Sequence, residues 1–154
     1  MEHQLLPSSG NLATLDACVV VEETCAKIYR HFASLFSDNT DIAKLWSELA
    51  EEEEQHADKF RLAVKAHGSN PGSFEGENFL IKAILAKLDS FMAKMRENPP
   101  QLREAFLTAA ILEHSIEKFH LETGKRMVNE ELAELLSSMA HNDRCHREIM
   151  QRIE

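Results

Sequence analysis

The sequence from residue 42 to residue 63 reads IAKLWSELAEEEEQHADKFRLA. Its apolar residues recur every three or four positions, at Ile42, Trp46, Leu49, Phe60 and Ala63. This spacing puts them on one face of an α-helix, so the stretch predicts a helix with one buried side. Glu53 and His56 continue the same spacing. The predicted helix therefore carries a carboxylate and an imidazole about one turn apart, at positions where apolar side chains are expected.

Three other segments repeat this arrangement. Their apolar faces consist of Leu15, Cys18, Cys25, Tyr29, Phe32 and Phe36 in the first, Leu102, Phe106, Ala109 and Ile116 in the second, and Leu132, Leu136, Met139, Met150 and Ile153 in the third. His120 continues the spacing of the second. A carboxylate interrupts each face, namely Glu22, Glu113 and Asp143 in that order, and His146 follows Asp143 by three residues. Each of the four predicted helices therefore has one acidic residue on its core side.

Capping and breaking residues divide the chain into these four long helices and one shorter helix. Asn11, the polar cluster at 37–40 and Asn129 suit helix starts, whereas Pro99-Pro100 and Gly124 suit helix boundaries. The expected helices cover about residues 11–37, 41–67, 79–96, 100–124 and 129–154, with a leader at 1–10 and a loop at 68–78. No strand pattern or solenoid repeat is present in the sequence. We therefore predict a single all-α domain over 1–154, a four-helix bundle with an additional connecting helix between the second and third long helices.

Composition excludes several functions. The chain of 154 residues has 17 Lys+Arg and 26 Asp+Glu, which gives a formal net charge of −9. This balance argues against nucleic acid and anionic membranes as partners, because both require a basic face. No apolar run reaches the roughly 18 residues of a membrane span, and the first residues lack the pattern of a secretory signal. The 3 cysteines form no CxxC pair, which favours free thiols in a reducing cytoplasm and excludes a four-cysteine metal site.

The acidic residues on the core faces need a shared explanation. They are Glu22, Glu53, Glu113 and Asp143. An unpaired buried carboxylate costs several kcal/mol or becomes protonated. Two divalent cations would balance the four charges, and His56 and His146 would complete the coordination. Oxygen ligands with two imidazoles suit iron or manganese, with zinc as a substitute.

Each of these residues taken alone also fits a simpler interpretation. A glutamate on a helix is usually solvated, and a core histidine is more often a hydrogen-bonded structural residue than a ligand. Glu22 has an acidic neighbour in Glu23, and Glu53 lies in a run of glutamates from 51 to 54, so either is compatible with a surface position. The combination of all four helices favours the two-metal interpretation.

Two segments of the chain resemble the rubrerythrin branch of the ferritin-like superfamily. They are residues 22–33 (EETCAKIYRHFA) and 51–60 (EEEEQHADKF), with looser matches at Glu113-His114 and at 143–146 (DRCH). The resemblance spans about residues 12–153 and implies a ferritin-like bundle with a centre of two iron ions. The ligands that it implies are Glu22, Glu53, His56, Glu113, Asp143 and His146.

Three features depart from the rubrerythrin pattern. Asp143 stands where the family has glutamate, and its shorter side chain reduces the reach toward a metal ion. Ile116 occupies the position of an additional family glutamate, and Glu117 lies one residue further, about 100° around the helix. The cysteines of a rubredoxin domain are missing from this sequence, so electrons would have to come from another protein.

The resemblance implies that hydrogen peroxide or oxygen oxidises a reduced di-iron centre, with an external electron-donor protein as partner. A homodimer is expected, because a bundle of this size usually buries part of its apolar surface in one. Two alternatives stay open. Ile116 favours a ferroxidase or iron-handling protein, and Asp143 favours a degenerate metal-binding or scaffold bundle without catalysis.

Further residues leave specific expectations. Tyr29 either donates a hydrogen bond to a site carboxylate or only packs in the core. His120 lies two turns beyond Glu113, about 10 Å along the axis, and is expected outside the site. The helix at 79–96 either covers the bundle or contacts a partner subunit.

Overall fold

A computed structural model describes residues 12–69, 71 and 74–153 of the chain. Its helices are α1 (Thr14–Leu35), α2 (Thr40–His67), α3 (Glu77–Glu97), α4 (Leu102–Lys125) and α5 (Glu130–Ile153). No strand occurs among these residues, and the all-α prediction is confirmed. The predicted cap at Asn11 lies outside the described residues.

Polar side chains account for several of the helix starts. Asn39 accepts a hydrogen bond from the backbone N–H of Ile42 at 3.2 Å, and Asn129 accepts one from Leu132 at 3.1 Å. These contacts satisfy N–H groups that have no partner within the first turn. Helix α4 begins two residues after the proline pair rather than within it, because Gln101 forms a capping box with Glu104.

Gly124 lies near the end of α4 and allows close packing between α4 and α5. It lies in the last turn of α4, where a Cβ atom would approach the Cβ of Leu136 to 3.2 Å. The missing side chain therefore allows α5 to lie close against α4 just after the chain reverses. The prediction that Gly124 acts as a C-terminal cap was wrong by two residues, since Arg126 occupies that position.

The helices pack as two hairpins with α3 across them. Helix α1 packs along α2, α4 packs along α5, and α3 contacts both α1 and α4. The buried residues of α3 are Ile81, Ile84, Leu85, Leu88 and Phe91. Helix α3 therefore covers the bundle, although Phe79 at its start is 73% exposed. No helix in the described part of the chain is both long and apolar enough to cross a membrane.

An aromatic cluster fills the core beside the acidic residues. The ring of Trp46 stacks on Phe106 with centroids 4.8 Å apart, and it contacts Phe32 at 4.8 Å and Tyr29 at 5.5 Å. Trp46 is fully buried and lies two turns before Glu53 on α2. This packing excludes water from one end of the polar cluster.

Candidate metal centre

The six predicted ligands all lie in the core of the bundle. Glu22, Glu53, His56, Glu113, Asp143 and His146 are at most 6% exposed. Helix α1 supplies the first, α2 the next two, α4 the fourth, and α5 the last two. The simpler interpretation, in which Glu22 and Glu53 are solvated surface residues, is therefore wrong. That these six residues bind metal stays a prediction.

The side chains face one another at close range. The Nδ1 atom of His146 lies 3.0 Å from Oε1 of Glu53 and 3.4 Å from Oε1 of Glu113. The Nδ1 atom of His56 lies 3.9 Å from the same oxygen of Glu53. The other ring nitrogen of His146, Nε2, contacts the half-exposed carboxylate of Glu52. Glu52 thus orients the ring of His146 so that Nδ1 points into the cluster.

Within the described residues, three sets of ligand atoms are compact enough to hold an ion. They are Glu22 with Glu53 and His56, Glu53 with Glu113 and His146, and Glu22 with His120 and Asp143, and the atoms of each set lie within 4.8 Å of one another. Glu53 and Glu22 each belong to two of these sets. Their shared membership gives the cluster the organisation expected of a site with more than one ion.

His120 lies within the cluster, beside Asp143 and Glu22. Its ring is fully buried, with Nδ1 at 2.6 Å from Oδ2 of Asp143 and Nε2 at 3.3 Å from Oε1 of Glu22. The expectation that it lies outside the site was wrong. Helices α4 and α5 run in opposite directions, so a position later than Glu113 on α4 faces a position earlier than His146 on α5. An antiparallel alignment of these two helices, counted from the pair Glu113 and His146, would have placed His120 about one turn from Asp143.

Tyr29 both packs and hydrogen-bonds. Its ring contacts Trp46, and its hydroxyl donates to Oε1 of Glu113. Both possibilities that the sequence left open are thus realised. Cys25 is fully buried on the same face of α1, and burial together with the nearby charge of Glu53 raises the pKa of its thiol.

The cluster leaves many buried polar atoms without a hydrogen bond. They are Oε1 and Oε2 of Glu22, Oε1 of Glu53, Nδ1 of His56, Oε2 of Glu113, Nε2 of His120, Oδ1 of Asp143 and Nδ1 of His146. Buried polar atoms in proteins are almost always hydrogen-bonded, so a concentration of exceptions requires a specific reason. All these atoms are of the types that ligate transition metals. The residues therefore fit a bound metal group.

Comparison with known proteins agrees with this chemistry. Residues 14–83 match the family model of rubrerythrin. This segment is similar to rubrerythrin. The matched segment is a little less than half of the chain, and it contains α1, α2 and the beginning of α3. It includes Glu22, Glu53 and His56, whereas α4 and α5 lie beyond it.

A search of curated proteins and a search of solved structures each found no significant match. The rubrerythrin match implies iron binding and suggests a di-iron protein. The carboxylate and histidine clusters are able to hold metal.

Glu117 does not belong to the cluster. Oε2 of Glu117 lies 2.9 Å from Nε of Arg144, and Oε1 lies 3.1 Å from Nη1 of Arg147. Its carboxylate is therefore committed to two arginines of α5. Ile116 is fully buried and supplies only an apolar side chain where the resemblance to rubrerythrins implied an additional glutamate.

Burial and mutual repulsion raise the pKa of three carboxyl groups in the cluster. The pKa of Glu22 and that of Asp143 lie well above their usual range, because burial and the charge of Glu53 disfavour ionisation. The same two causes raise the pKa of Glu113 to about 8. Four carboxylates in one dry site cannot all ionise without compensating cations.

Glu53 differs from the other three carboxyl groups, because its pKa is lowered rather than raised. Burial acts to raise its pKa, but the close polar contacts with Glu22, His146 and His56 outweigh burial and lower it. Burial likewise acts to lower the pKa of His146, but Glu113 and Glu53 raise it to about 12. The metal-free cluster therefore contains an ion pair between Glu53 and His146.

The imidazole of His120 is neutral near pH 7. Burial is the largest effect on it and lowers its pKa to about 4, against the opposing charges of Glu53 and Glu113. A neutral imidazole has one nitrogen that donates and one that accepts, and the neutral form is the one that binds metal.

Proposed function

We propose that this protein is a non-haem di-iron carboxylate protein whose reduced centre is oxidised by hydrogen peroxide or oxygen. The single observation that carries the proposal is the buried cluster of carboxylates and imidazoles with unsatisfied polar atoms directed at one another. The proposal includes an external electron-donor protein, because the 3 cysteines of the chain form no rubredoxin-type pair.

Each half of the cluster would hold part of the metal group. Glu53 is shared between two sets, one with His56 and Glu22 and the other with Glu113 and His146. When bound, the two iron ions supply the electrons that reduce the oxidant. Asp143 completes the set of four carboxylates, whose charge matches that of two divalent ions.

The surrounding residues position the ligands and keep the site dry. Glu52 orients His146 from outside the cluster. Tyr29 holds the proton of its hydroxyl against Glu113, so the oxygen Oε2 of that carboxylate is free to bind a cation. The rings around Trp46 exclude water, which strengthens electrostatic interactions within the core.

Metal content and redox reactivity test this proposal. The protein is prepared without oxygen, supplied with ferrous iron, and analysed for iron per chain. We expect two ions per chain, followed by the absorbance of an oxo-bridged ferric pair when hydrogen peroxide is added. A chelator-treated sample serves as the control and should consume no peroxide. Less than one iron per chain, or two ions without any oxidation product, would contradict the proposal.

A ferroxidase that handles iron is the second candidate. Ile116 and Glu117 favour it, because the additional glutamate of rubrerythrins is missing and its neighbour is bound to arginines. Peroxide and oxygen are compared as oxidants over repeated additions of ferrous iron. Continued turnover with added iron, together with a large multi-subunit assembly in a sizing experiment, would favour storage or detoxification of iron. The expected homodimer with a stoichiometric reaction would favour the peroxide or oxygen reductase.

A further inference from the structure

We propose that His120 is an additional metal ligand of this centre, binding through Nε2 an ion that Glu22 also binds, while Asp143 orients its ring. The inference rests on the proposed function, since it assigns one more residue to the same site. It identifies the ion's chemical class as a divalent transition metal, because an imidazole nitrogen beside carboxylate oxygen selects such ions over calcium or magnesium.

The two contacts of the His120 ring determine the role of each nitrogen. Oδ2 of Asp143 lies 2.6 Å from Nδ1, a distance typical of a strong hydrogen bond to a carboxylate. When bound cations allow Asp143 to ionise, Nδ1 carries the proton and Nε2 keeps a lone pair. Asp143, His120 and a metal ion would then form the carboxylate–histidine–metal arrangement that fixes the tautomer of many ligating histidines.

The lone pair of Nε2 faces another electron-rich atom. It lies 3.3 Å from Oε1 of Glu22, and neither atom has a hydrogen bond. Two acceptors at this distance repel each other unless a proton or a metal ion lies between them, and a metal ion takes the place of that proton when it binds. Two ligand atoms of a tetrahedral zinc ion, each about 2.0–2.1 Å from the metal, are about 3.3 Å apart. The observed separation therefore matches that of two ligand atoms sharing an ion.

The short side chain of Asp143 explains why a histidine is needed here. The family resemblance places a glutamate at this position, and aspartate lacks one methylene group. Asp143 lies beside His120 instead, and the imidazole extends from α4 toward Glu22. The histidine thus supplies a donor atom on the side where the carboxylate is shortened.

Zinc titration of variants tests this role without any redox reaction. Chelator-treated wild-type protein, His120→Gln and His31→Gln are titrated with zinc in competition with a chromophoric chelator. His31 is an exposed histidine of α1 and provides the matched control. We expect two zinc ions per wild-type and control chain. One of the two ions should bind His120→Gln at least about 10–100-fold more weakly.

The Asp143→Asn variant tests whether Asp143 orients the ring of His120 or itself binds the metal ion. Its amide oxygen still accepts from Nδ1 of His120, so the expected loss of affinity is smaller than for His120→Gln. Unchanged zinc affinity in His120→Gln, together with a loss in Asp143→Asn, would make the carboxylate alone the ligand and overturn the assignment of His120.

A measurement on the wild-type protein covers the case in which a variant fails to fold. Long-range proton–nitrogen correlation spectra of the histidine rings are recorded as zinc is added. We expect the Nε2 resonance of His120 to move to the metal-bound range while Nδ1 keeps its proton. Two bound zinc ions with an unchanged His120 resonance would overturn this inference alone. A wild-type chain that binds no zinc and no iron would overturn the proposed function with it.

Discussion

Oε1 of Glu53 and Nδ1 of His146 lie 3.0 Å apart and join helix α2 of one hairpin to helix α5 of the other. In the metal-free protein a proton on His146 makes this contact an ion pair, since its pKa is raised to about 12. A bound cation would take the place of that proton. Metal and protons therefore compete for the same atoms, and the pair connects metal binding with stability.

Glu53→Gln is expected to weaken both ions rather than one. Glu53 belongs to two of the three compact ligand sets, whereas His56 belongs to one. Iron or zinc per chain, measured after dialysis, should fall well below one ion in Glu53→Gln and to about one in His56→Ala. The control is Glu54→Gln, because Glu54 is half-exposed and pairs with Arg30 outside the cluster. Full occupancy in Glu53→Gln would show that the shared position is unimportant.

The stability of the metal-free protein is expected to fall as the pH rises from 6.5 to 8. In this range Glu113 keeps its proton up to a pKa of about 8 when folded, against an ordinary value of 4.5. His146 keeps its proton up to about 12, against 6.5. The folded protein thus binds more protons than the unfolded chain, and its stability decreases with pH.

The raised pKa values of Glu22 and Asp143 act in the same direction. The lowered pKa of His120, about 4, has its effect below pH 6.5 and does not oppose the trend. Urea midpoints in the presence of a chelator measure the effect. Zinc-loaded protein should show the opposite trend, because metal binding releases protons. A metal-free midpoint that rises from pH 6.5 to 8 would contradict the assigned protonation states.

Tyr29→Phe is expected to destabilise the protein without changing its metal content. The variant keeps the ring that packs on Trp46 but loses the hydroxyl that donates to Glu113. Leaving a buried acceptor unsatisfied costs about 1–3 kcal/mol. The free energy of unfolding from urea titration should decrease by this amount, with two metal ions still bound. An unchanged free energy of unfolding would mean that the hydroxyl makes no net contribution.

Glu117→Gln should lower stability while leaving the metal centre intact. The carboxylate of Glu117 is 6% exposed and is the partner of Arg144 and Arg147. Removal of its charge leaves these arginines without their acidic partner, at an expected cost of about 1–3 kcal/mol. The matched control is Glu122→Gln on the same helix, where an exposed pair with Arg126 contributes little. Loss of a metal ion in Glu117→Gln would instead place this residue in the centre.

The helices could be predicted from short stretches of sequence, because the spacing of apolar residues that identifies a buried helix face extends over only a few turns. The spacing around Trp46 and Glu53 identified a buried helix face from side chains within a few turns. The positions of Asn39 and Asn129 predicted starts that their side-chain hydrogen bonds explain. The start of α4 was predicted less accurately, because the helix begins after the capping box of Gln101 and Glu104 and not at the proline pair.

The acidic positions on the helix faces were also readable from the sequence. Glu22, Glu53, Glu113 and Asp143 each continue an apolar spacing, and all four lie in the core. A face that is buried carries every residue on it into the interior, whatever its charge. These four residues were expected to lie close together, because four buried helix faces meet in the core of one bundle.

Only the tertiary structure decided which of these residues touch. His120 is about two turns from Glu113 on its own helix, yet it contacts Asp143 and Glu22, because α5 reverses direction after α4 and Glu22 of α1 points into the same core. Distance along one helix carries no information about the register of its neighbours. The sequence by itself determined the helices, their buried faces and the acids upon them, since these depend on short-range periodicity. The pairing of His120 with Asp143, the diversion of Glu117 to arginines and the covering position of α3 depend on how whole helices pack.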